Sequence, residues 1–143
     1  MDDKTLEELV RGALREVLSR QKTCPSPALR KVPLIPVREE DRLNTGNPGD
    51  RVYTRDLFTL EESPRLGCGI MEMEESEFPW TLSYDEMDYV ISGRLEVKVG
   101  EATLSAGAGE LIYLPKGSRI RFSAPGKTRF LYVTYPAVWK NQP

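Results

Sequence analysis

Histidine is absent from this chain of 143 residues. Its absence excludes every catalytic triad built on an imidazole and every metal site that relies on histidine ligands. No serine lies in a G-x-S-x-G turn, so the nucleophile of that type of hydrolase is missing as well. Any general base in this protein must therefore be a carboxylate, a lysine, a tyrosine or a water molecule.

Cysteine and long apolar runs are also scarce. Cys24 and Cys68 have no CxxC spacing and are typical of unpaired thiols in a reducing compartment. No apolar run approaches the roughly 20 residues that a membrane span needs, and no secretory signal is visible. The formal net charge of -2 gives no general attraction to nucleic acid or to an anionic membrane. These absences predict a protein of the cytosol, or of a place reached from it, that binds neither nucleic acid nor membrane.

The first twenty residues have the pattern of an amphipathic helix. Thr5 and Glu8 form a capping box, which predicts that the helix starts near Leu6. Such a helix can fold back onto the main domain, pair with a second copy, or dock on another protein. Its apolar residues recur at the i, i+3, i+4 spacing of one helix face. They are Leu6, Leu9, Val10, Ala13, Leu14, Val17 and Leu18.

Prolines separate this helix from the rest of the chain. Beyond Arg20, four prolines lie within the dozen residues 25–36, which is typical of a semi-rigid linker. We therefore expect three parts in the chain. They are an amphipathic helix over residues 1–21, a proline-rich linker and lead-in over 22–43, and one β domain over 44–143.

From about Val52 onward the pattern is all-β. Short apolar or alternating runs are separated by Gly, Pro, Asn and Asp at the spacing of a sandwich or barrel. Leu95, Val97 and Val99 alternate with charged residues, which predicts a strand with one buried and one solvated face. Gly100 then suits the first position of a two-residue hairpin turn.

Two motifs in the second half resemble those of the cupin superfamily. One is Glu86 followed after six residues by Gly93, and the other is Gly109, then Pro-Lys-Gly at 115–117, then Ile120. The resemblance implies a double-stranded β-helix, or jelly-roll barrel. In metal-binding cupins three histidines and the glutamate hold the metal, and here only the glutamate is left. The resemblance therefore implies a cupin barrel without a tightly bound transition metal.

The chain resembles one cupin group in particular, the EutQ-like proteins of ethanolamine utilisation. Phe-Pro-Trp-Thr-Leu ahead of Tyr-Asp-Glu is the most specific feature. The matching stretches are 48–53, 60–67, 78–82, 84–90, 112–118 and 130–136. The resemblance implies an acetate kinase that uses Mg²⁺ with ATP in a bacterial microcompartment. Longer family members carry a larger N-terminal region, and the short helix here looks like an encapsulation peptide that docks on a shell protein.

Two acidic residues are the predicted centre of the site. Strand alternation places Glu86 and Asp88 on one face, and the glutamate of this cupin motif points into the barrel. Two carboxylates about 7 Å apart in a partly enclosed barrel raise each other's pKa unless a cation or donors intervene. Oxygen ligands of this kind suit Mg²⁺, so the pair is predicted to be both catalytic and metal-binding. The alternative is that the two acids cap backbone amides or pair with an interior lysine or arginine.

Four further residues are candidates for the site. Trp80 and Thr81 occupy the segment in which metal-binding cupins carry His-x-His, and could line a site for a small carboxylate. Tyr84 could donate to a substrate oxygen, and Lys116 could stabilise the charge of a transferring phosphoryl group. Their alternatives are core packing for Trp80 and solvent-exposed loop positions for Tyr84 and Lys116. Barrel core is predicted for three other aromatic residues, Tyr113, Phe122 and Tyr132.

The leading hypothesis is an acetate kinase that moves a phosphoryl group between ATP and acetate. Acetate is an anion at neutral pH and needs no base, so a site without histidine is chemically acceptable. A second hypothesis is a non-catalytic assembly factor or cargo adaptor of the microcompartment. A third is a metal-free cupin that senses a small metabolite. A homodimer is expected in each case, because cupin barrels commonly pair through their sheets.

Overall fold

The computed structural model describes residues 3–20 and 25–140. Their elements are α1 (Asp3–Arg20), two 3₁₀ helices (Val32–Leu34 and Glu39–Asp41) and the strands β1 (Arg51–Asp56), β2 (Gly67–Thr81), β3 (Asp85–Ser92), β4 (Arg94–Val99), β5 (Ala102–Gly107), β6 (Leu111–Leu114) and β7 (Arg119–Tyr135). The all-β class with one N-terminal helix is confirmed.

Two long strands run through both layers of the barrel. β2 and β7 have 15 and 17 residues and pair with each other along both of their halves. The register shifts at a bulge between Glu74 and Ser76, where Glu75 takes a φ of 43°. A bulge bends a strand and increases its twist, so the two halves of β2 can lie in different layers. One layer has the order β1-β2-β7-β3-β6, and β4 and β5 extend the sheet from the other half of β7. Every strand pair is antiparallel, as in a jelly roll.

Apolar side chains fill the space between the layers. Leu95 and Val97 on β4 are buried as their alternation predicted, whereas Val99 is exposed because it lies next to the hairpin turn. The rings of Phe78 and Phe122 lie 5.5 Å apart in the centre of this core. Gly100 has a φ of 58°, which agrees with the predicted turn between β4 and β5.

Residues 25–43 are attached to the barrel and do not form a free linker. The guanidinium of Arg129 donates to the carbonyl oxygens of Val32 and Ile35 at 2.9 and 2.8 Å, and it pairs with Glu72 at 2.7 Å. Proline content predicted a semi-rigid spacer here. Because two carbonyls of the lead-in are bound by a barrel side chain, this segment belongs to the outer surface of the barrel instead.

The helix α1 begins at Asp3, three residues before the start that the capping box predicted. The described side chains from Asp3 to Val17 are all exposed, including Leu9 and Leu14 of the apolar stripe. The described part of the stripe, from Leu6 to Val17, is therefore not buried on the barrel. Within residues 3–20 and 25–140, no helix is long and apolar enough to cross a membrane. The predicted helix end at residue 21 and Cys24 lie outside the described residues.

Candidate active site

The alternation of β3 brings Glu86 and Asp88 into the barrel. Glu86 is 4% exposed and Asp88 is completely buried. Their neighbours in the register of β7 are Thr134 and Tyr132. No lysine or arginine of the described chain acts on the pKa of either acid, so the alternative of an interior salt link does not hold for these residues.

A small cavity of about 10 Å³ lies beside Glu86. Its wall is mostly aromatic and includes Trp80, Tyr84, Tyr132 and Trp139. This volume corresponds to roughly one water molecule. Asp88 is not part of the cavity wall and lies behind Glu86. The interior is therefore almost filled, and an additional solute larger than water requires some of these side chains to move.

The ionisation of each acid depends on the protonation state of the other. Burial raises the pKa of Glu86, and its neighbours Asp88 and Tyr84 partly offset this effect. Burial, followed by the charge of Glu86, holds the pKa of Asp88 well above its usual range. The Asp88 oxygens and the Thr134 hydroxyl make no hydrogen bond of good geometry within the described chain. Proximity and charge therefore link the two acids, and we expect the pair to keep a proton at neutral pH.

Aromatic rings close the barrel above Glu86. The indole nitrogen of Trp80 donates to the hydroxyl oxygen of Tyr84 at 2.7 Å. Trp139 packs against three of the rings, at centroid distances of 6.1 Å to Trp80, 6.5 Å to Tyr84 and 5.3 Å to Tyr132. Since Tyr84 accepts from Trp80, its own hydroxyl hydrogen remains available to Glu86 or to a ligand.

A hydrogen bond across three strands connects this interior with the surface. The hydroxyl of Tyr132 donates to Asp56 Oδ1 at 2.7 Å, passing over Gly69 of the strand between them. A Cβ at Gly69 would lie 2.1 Å from the Tyr132 hydroxyl oxygen, so only glycine leaves room for this contact. Burial, then the charge of Asp56, raises the pKa of Tyr132, which therefore stays neutral and able to donate.

Two of the predicted site residues lie on the rim and outside the cavity. Thr81 ends β2 and is exposed, and the Lys116 side chain is exposed on the turn after β6. The backbone nitrogen of Lys116 donates to Asp85 Oδ1 at 2.8 Å, which places this turn beside the start of β3. The structure thus brings Trp80, Tyr84 and Glu86 together around the cavity. Asp88 lies behind them, and Thr81 and Lys116 lie on the surface.

The geometry does not favour a resident magnesium ion at the acidic pair. Magnesium takes an octahedral shell of oxygen ligands and usually keeps several waters. Glu86 and Asp88 are only two carboxyls, and the cavity beside Glu86 has room for roughly one water. No cluster of three or more Asp, Glu or Cys side chains suited to a metal occurs within residues 3–20 and 25–140. The predicted magnesium site therefore does not fit the closed barrel.

The structure bears on four aromatic predictions from the sequence. The alternative of a solvent-exposed loop position does not hold for Tyr84, which is 1% exposed because its ring is covered by Trp139. Phe122 and Tyr132 are core residues as predicted. The core prediction for Tyr113 is wrong, because strand alternation turns it outward from β6. The alternation of side-chain direction along residues 111–114 was the sequence feature that indicated this outward orientation.

The sequence reasoning missed Asp56 and Trp139. Asp56 is the last residue of β1 and is half-exposed, so nothing in its neighbours indicated a role. Trp139 lies beyond the last strand, where no periodic pattern extends. One feature of the sequence could have indicated a role for Trp139. It is one of only two tryptophans and lies apart from the predicted strands.

The fold and the site define a cupin barrel that lacks the usual metal ligands. Solved cupins of low identity share the architecture. They include the cupin domain of Schizosaccharomyces pombe Cnp3, with a TM-score of 0.59 and 17% identity over 76% of this chain and 69% of that one. The model of the family Ethanolamine utilisation protein EutQ matches residues 1–141, and the chain belongs to this family.

Two relatives extend this comparison. A protein named acetate kinase EutQ from Clostridioides difficile strain 630 is 52% identical over 99% of this chain and 96% of its own length. A solved structure of the Clostridium difficile EutQ protein has a TM-score of 0.77 and 62% identity, covering 79% of this chain and 82% of that one. The acetate kinase EutQ of Salmonella typhimurium is 43% identical over 60% of this chain, which spans only 38% of that relative.

The buried acids predict a specific dependence of stability on pH. A carboxyl whose pKa is raised by folding binds more protons in the native state, so the free energy of unfolding falls as pH rises above the unfolded pKa. Asp88→Asn removes this effect. We expect the variant to gain stability relative to the parent protein as pH increases from about 4 to about 8.

Urea unfolding at several pH values measures this difference. Glu101→Gln, at the exposed hairpin turn, is the control and should follow the parent protein at each pH. A constant offset between Asp88→Asn and the parent across the range would show that Asp88 is ionised in the folded protein.

Proposed function

We propose that this protein is an acetate kinase, which transfers the γ-phosphoryl group of ATP to acetate and forms acetyl phosphate and ADP. The observation that supports this most strongly is the 52% identity to a protein of that name over 99% of this chain and 96% of the relative. The similarity covers the N-terminal helix as well as the barrel, so it concerns the chain as a whole.

We place acetate at the barrel mouth, against Trp80, Tyr84 and Glu86. The indole of Trp80 covers the methyl group, and the hydroxyl of Tyr84 donates to one carboxylate oxygen. A protonated carboxyl of the Glu86–Asp88 pair donates to the other oxygen, because burial raises the pKa of both acids. A neutral acid tolerates a bound anion where an ionised pair would repel it.

The transfer itself then needs no acid or base from the protein. An oxygen of acetate attacks the γ-phosphorus, the bond from that phosphorus to the bridging oxygen breaks, and ADP leaves with the electron pair. ATP enters as its magnesium complex, which is a substrate. Lys116 and Thr81 on the rim are the proposed contacts of the transferring group, where a positive charge stabilises its oxygens.

Acetyl phosphate formation from ATP, Mg²⁺ and acetate by the purified chain tests the activity. Glu86→Gln and Asp88→Asn should reduce acetate binding, and Lys116→Met should lower kcat by about 10²-fold. Lys127→Met, at an exposed position of β7, is the control and should keep the activity of the parent. Full activity of all three site variants would reject the site, and no acetyl phosphate from the parent would reject the reaction.

A second proposal concerns α1, which we assign as a docking tag for a microcompartment shell protein. It is supported by the exposure of its apolar stripe, where Leu9 and Leu14 are 59% and 53% exposed. An amphipathic helix with no buried apolar side chain among those described gains stability by binding a groove on another protein. This function would also serve a non-catalytic cargo adaptor, so it does not depend on the kinase activity.

Recruitment to microcompartments tests the tag. Leu9→Glu or Leu14→Glu places a charge on the stripe and should abolish co-localisation with the shell, while Glu8→Gln on the polar face should leave it intact. Normal recruitment of both charged variants would reject the tag.

We also propose a homodimer through the outer face of β3 and β6. Met87 pairs in register with Tyr113, and Tyr89 with Leu111. These four side chains are all exposed and form an apolar patch on a strand pair at the end of its sheet. A patch that faces its own copy across a two-fold axis gives a closed dimer.

Sedimentation equilibrium tests the dimer. The parent should sediment as a dimer and Leu111→Asp as a monomer, because the change places a charge in the patch. Leu104→Asp, at a similarly exposed leucine of β5, should remain a dimer. A monomeric parent would exclude this interface.

A further inference from the structure

The segment after β7 crosses the mouth of the barrel. Ala137 and Trp139 are buried along it, while Val138 is exposed, so alternate side chains face the interior. Gly67 of β2 permits this path, because a Cβ there would lie 2.9 Å from the carbonyl oxygen of Ala137. The backbone at Ala137 therefore lies directly against β2.

Trp139 takes up the space through which a ligand would reach Glu86. Its ring packs on Trp80, Tyr84 and Tyr132, which are wall residues of the cavity. Only about 10 Å³ remains free beside Glu86 while the indole is in place. Any solute larger than water therefore requires wall side chains to move, and among them Trp139 lies beyond the last strand.

The carboxylate of Asp56 holds this segment from outside. Asp56 Oδ1 accepts from the indole nitrogen of Trp139 at 3.3 Å and from the barrel residue Tyr132, and Oδ2 accepts from Lys140 at 3.1 Å. The side chains of Asp56 and Lys140 are 43% and 49% exposed. Water can therefore compete for these bonds, and an exposed ion pair of this kind is worth only about 0–1 kcal/mol.

Space for the displaced indole exists next to this carboxylate. A groove of about 330 Å³ lies between the β1–β2 loop and residues 136–140, and its wall includes Asp56, Leu57, Leu66 and Ala137. The groove is on the outer side of Asp56, so the indole can move out of the barrel and still contact apolar surface.

We propose that residues 136–140 form a lid with Asp56 as its latch, and that Trp139 must swing out of the mouth before a small carboxylic acid can reach Glu86. The nature of the acid rests on the proposed acetate kinase function, whereas the lid follows from the packing of Trp139. Local opening of this kind should occur far more often than global unfolding, because the bonds of Asp56 to this segment are accessible to water.

Exchange of the Trp80 indole hydrogen, measured by NMR without acetate or nucleotide, tests the lid. This hydrogen is bound to Tyr84 beneath Trp139, and the chain has two tryptophans, so Trp139→Phe assigns the two signals. We expect it to exchange well before the backbone amide of Val90 in the core strand β3. Lys140→Met should accelerate its exchange about two- to fivefold and leave Val90 unchanged.

The matched control is Lys98→Met, which removes an exposed ion pair with Glu77 that involves neither Asp56 nor residues 136–140. It should change neither exchange rate. The lid is overturned if the indole hydrogen of the parent exchanges only as slowly as Val90, and the latch is overturned if Lys140→Met matches the control. Fast indole exchange in a protein that forms no acetyl phosphate would reject the proposed reaction and leave the lid in place.

Discussion

Glu86 and Asp88 lie next to each other inside an apolar barrel, where neither has a cationic partner among the described residues. Two negative charges cannot be kept at such a distance from water without a compensating cation, so the pair retains a proton. A carboxyl that keeps its proton is a hydrogen-bond donor, so the pair presents a donor as well as acceptors inside the barrel.

Aromatic side chains occupy the interior beside this pair. Trp80 stands in the segment that carries histidines in metal-binding cupins, and with Tyr84 and Trp139 it covers Glu86 from solvent. Packing of this density raises the pKa of Glu86 and also prevents access to it. The same rings thus bury the acids and close the mouth of the barrel. A ligand's access to Glu86 and the ionisation of Glu86 therefore depend on the same side chains.

Asp56 joins parts of the chain that are distant in sequence. Through Tyr132 it contacts the interior, and through Trp139 and Lys140 it contacts the segment over the mouth. The hydrogen bond between Tyr132 and Asp56 can form because Gly69, on the strand between them, has no side chain to block it. A half-exposed carboxylate can therefore influence a closed interior without lying in it.

The sequence by itself determined which face of β3 points inward, because the alternation of a strand needs only local geometry. It also determined the cupin class and the amphipathic character of α1. Only the tertiary structure decided what surrounds the two acids, since their neighbours come from β2, β7 and a segment beyond the last strand. The role of Trp139 and Asp56, and the attachment of residues 25–43, depend on contacts between residues far apart in the chain. No local period or propensity encodes such contacts. For that reason the sequence predicted a magnesium site in an interior that aromatic rings fill.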